Sequence, residues 1–149
     1  MFEQVRLSPA DVPPYAFPEP ANGAEEGNGH NRLRVLVVDD EALIASTVAT
    51  ILNHNGFEAE AVYSGEDALA AARRTPPDIV LSDVLMPRMS GVELGMQLRR
   101  EYPLARIVLF SGQAATAEMM RKAQGDGHQF ELIAKPIHPD ELVAKLRGL

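Results

Sequence analysis

Four short apolar runs punctuate the chain, and each stops abruptly at polar residues. Val35-Leu36-Val37-Val38 runs into Asp39, Asp40 and Glu41, and Ile79-Val80-Leu81-Ser82 into Asp83. Ile107-Val108-Leu109-Phe110 runs into Ser111-Gly112, and Leu132-Ile133-Ala134 into Lys135-Pro136. Unbroken β-branched runs of this kind are the mark of strands buried on both faces of a parallel sheet.

Between the runs the periodicity changes from strand to helix. A first strand over about Arg34 to Val38 leads to a helix over about Ala42 to His54, with Ile44, Val48, Ile51 and Leu52 on one stripe. Asn55-Gly56 stops it, and a short strand near Phe57 to Val62 follows. Ser64 is placed to cap a helix running to Arg74, and Pro76-Pro77 separates that helix from a strand over Asp78 to Ser82. The turn after Asp83 gives way to a helix over about Val92 to Tyr102, stopped by Pro103. A strand at Arg106 to Phe110, a helix near Ala114 to Gln124, a strand over Phe130 to Ala134 and a final helix opened by Pro139 complete the series. Five strands alternating with five helices imply an α/β fold, a parallel sheet with helices on both faces. In such sheets ligands bind beyond the carboxyl ends of the strands. Two acidic ends, a hydroxyl and an ammonium should therefore converge on one site.

Composition then narrows the classes. The 149 residues suit one domain of ordinary size. The absence of cysteine excludes disulfides, thiolate metal sites and a cysteine nucleophile. No basic start followed by an apolar stretch opens the chain, and no run approaches the roughly 18 apolar residues of a membrane span. The expectation is a soluble cytoplasmic protein without membrane partners. Net charge is −7, with five acids and one base in residues 1–31. An acidic chain lacking a basic stripe points away from direct nucleic-acid binding. Residues 1–31, with five prolines and a glycine- and glutamate-rich end, read as a flexible extension. Residues 32–149 read as the folded domain.

Taken in order, Asp39-Asp40-Glu41, Asp83 followed by Met-Pro and Ser-Gly, Ser111-Gly112 and Lys135-Pro136 resemble the receiver domain of two-component response regulators, of the chemotaxis-regulator type. The spacings agree: 43 residues from Asp40 to Asp83, 28 on to Ser111 and 24 on to Lys135. The resemblance implies a flavodoxin-like, doubly wound five-stranded sheet in the order 2-1-3-4-5. It also implies Mg2+ and phosphorylation of Asp83 from a phosphohistidine donor, either a sensor histidine kinase or a histidine phosphotransfer protein. Asp40 and Asp83 would ligate the cation directly and Asp39 through water, with the Leu85 backbone carbonyl completing the protein ligands. Ser111 and Lys135 would hold the phosphoryl oxygens. Hard oxygen donors suit magnesium, and two carboxylates about 4 Å apart repel by roughly 4 kcal/mol at an effective dielectric near 20.

The expected function is that of a single-domain response regulator in a phosphorelay, catalytic only toward its own Asp83. Its signal would leave through a phosphorylation-dependent protein-binding face, toward a protein target or a second copy in a homodimer. Two other readings compete. A magnesium-dependent phosphohydrolase would need a second acid two residues after Asp83, where Leu85 stands. A phosphorylation-independent scaffold would not need the full set of acid, serine and lysine. Taken singly each motif has an ordinary explanation: acids opening a helix, a turn aspartate, a capping serine, a solvated lysine. His30, His54, His128 and His138 show no ligand spacing, and Met119 and Met120 suit a core.

Receivers often carry an aromatic three residues before the Lys-Pro pair. Here that position holds Leu132, and Phe130 lies two residues earlier. The stretch from Ser111 to Lys135 also looks about two residues long around Gly125 to His128, so the coupled serine–aromatic switch and the neighbouring output face are expected to be altered. Leu85 and Gln113 stand where family members tune access of water to the phosphoryl group.

Overall fold

The structure is a computed structural model, and it describes residues 32–112, 121, 124–125, 130–135 and 137–149. The extension over 1–31, the stretch around Gln113, Met119 and Met120, and the residues around His128 lie outside the described residues.

Five parallel strands form one sheet: β1 (Arg34–Val38), β2 (Glu58–Val62), β3 (Ile79–Asp83), β4 (Arg106–Ser111) and β5 (Glu131–Ala134). Their spatial order is β2-β1-β3-β4-β5, as expected. The central strands are buried almost throughout, because helices cover both faces; this is why they read as continuous apolar runs. The edge strands differ. In β2 exposed glutamates alternate with half-buried alanines, and in β5 only Ile133 is buried.

Four helices fall among the described residues: α1 (Ala42–Asn53), α2 (Gly65–Arg74), α3 (Gly91–Glu101) and α4 (Pro139–Arg147). The helix expected near Ala114 to Gln124 falls on residues mostly outside the described set. Three of these helices, α2, α3 and α4, start where a side chain satisfies a free amide. Ser64 Oγ accepts from Asp67 N at the head of α2. Ser90 and Glu93 form a reciprocal capping box on α3. Pro139 opens α4 behind His138, whose Nδ1 accepts from Asp140 N. At the far end of α1, Gly56 takes φ +91 and Phe57 N returns to Leu52 O, the left-handed stop that Asn55-Gly56 implies.

Two apolar layers result. Odd-numbered Val35, Val37, Ile79 and Leu81, with Val108, Phe110 and Ile133, pack against Ala45, Ala49 and Leu52 of α1 and Leu142, Val143 and Leu146 of α4. Their neighbours Leu36, Val38, Val80, Ile107 and Leu109 pack against α2 and α3 on the opposite face. The stripe expected on α1 is shifted: small alanines let the helix lie close to the sheet, while Ile44 is 36% and Leu43 80% exposed.

Candidate functional site

Register brings the four polar strand ends to one level. Val38 lies beside Ser82, Asp83 beside Phe110, and Ser111 beside Ala134. Asp39, Asp83, Ser111 and Lys135 therefore all emerge at the carboxyl edge of the sheet. Side chains alternate across a strand. By that alternation Asp39 follows Val37, Asp83 follows Leu81, and Lys135 follows Ile133 onto the face that carries α1 and α4.

Backbone bonds extend the ladder past the strands and fix this edge. Asp39 N donates to Val62 O, Val84 N to Phe110 O, and Lys135 N to Ser111 O. The turn after Asp83 closes through Gly91 N to Val84 O at 2.8 Å. A β-carbon at Gly91 would overlap the Asp83 carbonyl oxygen, so only glycine lets α3 start this close to the strand end. Arg88 takes a positive φ of 68 within the same turn.

Lys135 Nζ lies 3.2 Å from Asp83 Oδ1 and 3.6 Å from Asp39 Oδ2. Asp39 is almost fully buried, and its Oδ1 accepts from Glu41 N at 2.9 Å. Asp83 Oδ1 also accepts from Val84 N at 3.0 Å. Asp39, Asp40 and Asp83 can each bring a carboxylate oxygen within 4.8 Å of the other two, with Asp40 exposed to solvent. Burial pushes the Asp83 carboxyl above its ordinary value of 3.8; Lys135 opposes that shift and the Asp39 charge adds to it. Three hard oxygen donors, one open to water, are the donor chemistry a divalent magnesium-like cation prefers.

Ser111 ends β4 half-buried, joined to Lys135 through its carbonyl. Leu85 lies two residues past Asp83 with its side chain 41% exposed. Glu41 is the N-cap of α1 without a side-chain cap bond, and the first turn of that helix holds no acid. Asp39 turns one carboxylate oxygen to the Glu41 amide and the other toward Lys135. His54 is the C-cap of α1 and His138 the N-cap of α4.

Two neighbours of the site were not singled out by sequence. Phe110 lies with its ring under Lys135, the ammonium 5.6 Å from the ring centroid. Ser82 is buried and its Oγ donates to the Asp83 carbonyl at 2.9 Å. Both are the last members of apolar runs, and their position one residue before a strand-end polar group was the available signal.

Known proteins resemble this chain in sequence and fold. The model of the response regulator receiver domain matches residues 35–147. A probable transcriptional regulatory protein, TcrX, of Mycobacterium tuberculosis is 36% identical over 115 residues, covering 77% of this chain and 48% of that protein. The DNA-binding response regulator MtrA of Mycobacterium leprae is 34% identical over 117 residues, covering 78% of this chain and 51% of that protein. The chain thus spans about half the length of these curated relatives. Among solved structures, the chemotaxis protein CheY4 of Vibrio cholerae matches with a TM-score of 0.69 at 27% identity, covering 78% of this chain and 98% of that one. The receiver domain of NtrX from Brucella abortus matches with a TM-score of 0.67 at 30% identity, covering 76% and 95%. The chain belongs to the response regulator receiver domain family.

Proposed function

We propose that this receiver accepts a phosphoryl group on Asp83 from a phosphohistidine donor, a sensor histidine kinase or histidine phosphotransfer protein, in the cytoplasm. The observation that carries this reading is the bridging of Asp83 and buried Asp39 by one ammonium, Lys135, beside a solvent-facing third acid, Asp40.

Phosphoryl transfer is governed by positioning and charge neutralisation. An Asp83 carboxylate oxygen attacks phosphorus, the P–N bond to the donor imidazole breaks with its electron pair passing to nitrogen, and an acyl phosphate remains on Asp83. Lys135, already at the attacking carboxylate, turns its donors to a phosphoryl oxygen. Ser111 donates to another, drawing its loop toward the site. Asp40 and Asp83 directly, Asp39 through water and the Leu85 carbonyl would hold Mg2+, which when bound supplies neutralisation of the phosphoryl charge. The added charge of about −1.5 to −2 is the local event that a neighbouring loop reports.

The chemistry is confined to the protein's own aspartate, in phosphorylation and dephosphorylation. The signal leaves through protein contact, with a target protein or a second phosphorylated copy, and the acidic receiver itself makes no nucleic-acid contact. Leu85 at the position of the second acid argues against a phosphohydrolase. The test is mass spectrometry after incubation with acetyl phosphate and magnesium. A phosphoryl adduct mapping to Asp83, absent in Asp83→Asn, is expected; an adduct elsewhere, or none, overturns the reading.

A further inference from the structure

Phe110 stands out among the residues around Lys135 because it touches the ammonium without neutralising it. It ends the buried run of β4 at 6% exposure, in register with Asp83, and its carbonyl takes the Val84 amide. By strand alternation it shares the face of Asp39, Asp83 and Lys135. Its ring packs with α1 and α4 below, while the Lys135 ammonium lies 5.6 Å from its centroid above. That separation is within the range over which an ammonium is attracted to a ring face. The Lys135 side chain is only 30% exposed, so water competes weakly there.

The two carboxylates and the ring act on the ammonium differently. The hydrogen bond to Asp83 Oδ1 is directional, whereas Asp39 holds the ammonium only as an ion pair at 3.6 Å, and the bond to Asp83 must be given up when that oxygen becomes part of an acyl phosphate. Attraction to a ring face is broad in angle and does not change when the partner changes. We propose that Phe110 is a positioning residue for phosphoryl transfer: its ring is the fixed platform on which the Lys135 ammonium turns from the free Asp83 carboxylate to the phosphoryl group. This deepens the phosphoacceptor reading and rests on it for its chemical consequence, while the contact itself can be tested without any phosphoryl group.

Two measurements on the full chain test it. In metal-free protein, the Lys135 ε-methylene resonance is expected upfield of an unstructured lysine because of the ring beneath it, and this displacement is lost in Phe110→Leu and kept in Phe110→Tyr. With acetyl phosphate and magnesium, replacing Phe110 by phenylalanine analogues bearing one, two and three fluorines withdraws charge from the ring face with little change in shape. The rate of Asp83 labelling is expected to fall stepwise, reaching about three- to tenfold, with Phe110→Tyr close to wild type. A Lys135 resonance at the unstructured position, or a flat fluorine series with normal labelling of wild type, overturns the proposal. If wild type takes no label at Asp83, the phosphoacceptor reading fails separately, and the resonance position alone then decides the contact.

Discussion

Gly91 begins α3 directly against the carbonyl oxygen of Asp83, in a space that a single β-carbon would fill. The same approach brings Ser82 Oγ within 3.0 Å of that added atom, so two groups of the strand end would have to move. Gly91→Ala is therefore expected to destabilise the domain by about 1–3 kcal/mol, the usual cost of forcing an atom into filled space. Because the displaced group is the backbone of Asp83, labelling of that residue by acetyl phosphate should slow as well. A urea midpoint equal to that of wild type, at unchanged slope, would show that the seat of Asp83 is not held from this side.

Asp83 is a site residue kept in a state unfavourable to the fold. Burial raises its folded pKa above 3.8, so the folded protein prefers the neutral form more than the unfolded chain does. That preference contributes stability in full below the ordinary value and is lost as pH rises through the raised one. At neutral pH the ionised carboxyl thus costs stability in the metal-free protein. Asp83→Asn should melt above wild type at pH 7 without metal, and the difference should shrink as pH falls toward 3.8. Melting curves between pH 3.5 and about 7.5 check this, and an asparagine variant less stable at pH 7 contradicts it.

Much of this was legible in the chain because one signal served two purposes. A central strand such as β3, covered by α2 and α3 on one face and α1 and α4 on the other, must be apolar throughout, so its end is marked by the first polar residue, here Asp83. The site lies at such ends, so its acids and lysine were readable together with the fold. Contacts made sideways were not. Phe110 reads as one more core residue, since nothing in the run around it tells that a lysine 25 positions later will lie over its ring. The α1 stripe misled for a related reason: periodicity favours large residues such as Ile44, whereas close packing on the sheet selected Ala45 and Ala49. Phe130 is another sideways case. Its ring packs at Gly95 and under the Arg99 guanidinium, 4.9 Å from the centroid, while Leu132, at the position where receivers often hold the aromatic, is half exposed.

Asp40 is the solvent-facing member of the acidic group, with Asp39 and Asp83 more deeply placed. Removing an exposed carboxylate disturbs folding little, usually within about 0.5 kcal/mol. Its loss would, however, take one of the hard oxygen donors from a cation at this edge. Asp40→Ala should leave the melting temperature in metal-free buffer near that of wild type while weakening magnesium binding at least about tenfold, in line with a directly ligating charge. Melting curves in metal-free buffer read the first arm and calorimetric titration with magnesium the second. An unchanged affinity would remove Asp40 from the ligand set.

Lys135 has a structural duty that precedes any transfer. Its ammonium is the cation between Asp39, whose side chain is 3% exposed, and Asp83, at 15%. Truncating it in Lys135→Met leaves two carboxylates facing each other in a partly dry site, and breaking such a pair costs far more than the pair itself contributes. Because the lysine end is itself 30% exposed, the expected loss is held to about 1–3 kcal/mol, below the range for a fully buried pair. Converting Asp39 to a neutral amide at the same time removes the repulsion: Asp39→Asn with Lys135→Met should recover most of the stability but none of the Asp83 labelling. Magnesium should likewise narrow the gap between Lys135→Met and wild type, since a divalent cation supplies the missing positive charge. Denaturant titrations of wild type and the two variants with and without magnesium separate the roles; a Lys135→Met protein as stable as wild type without metal would mean that the ammonium holds no charge balance at this edge.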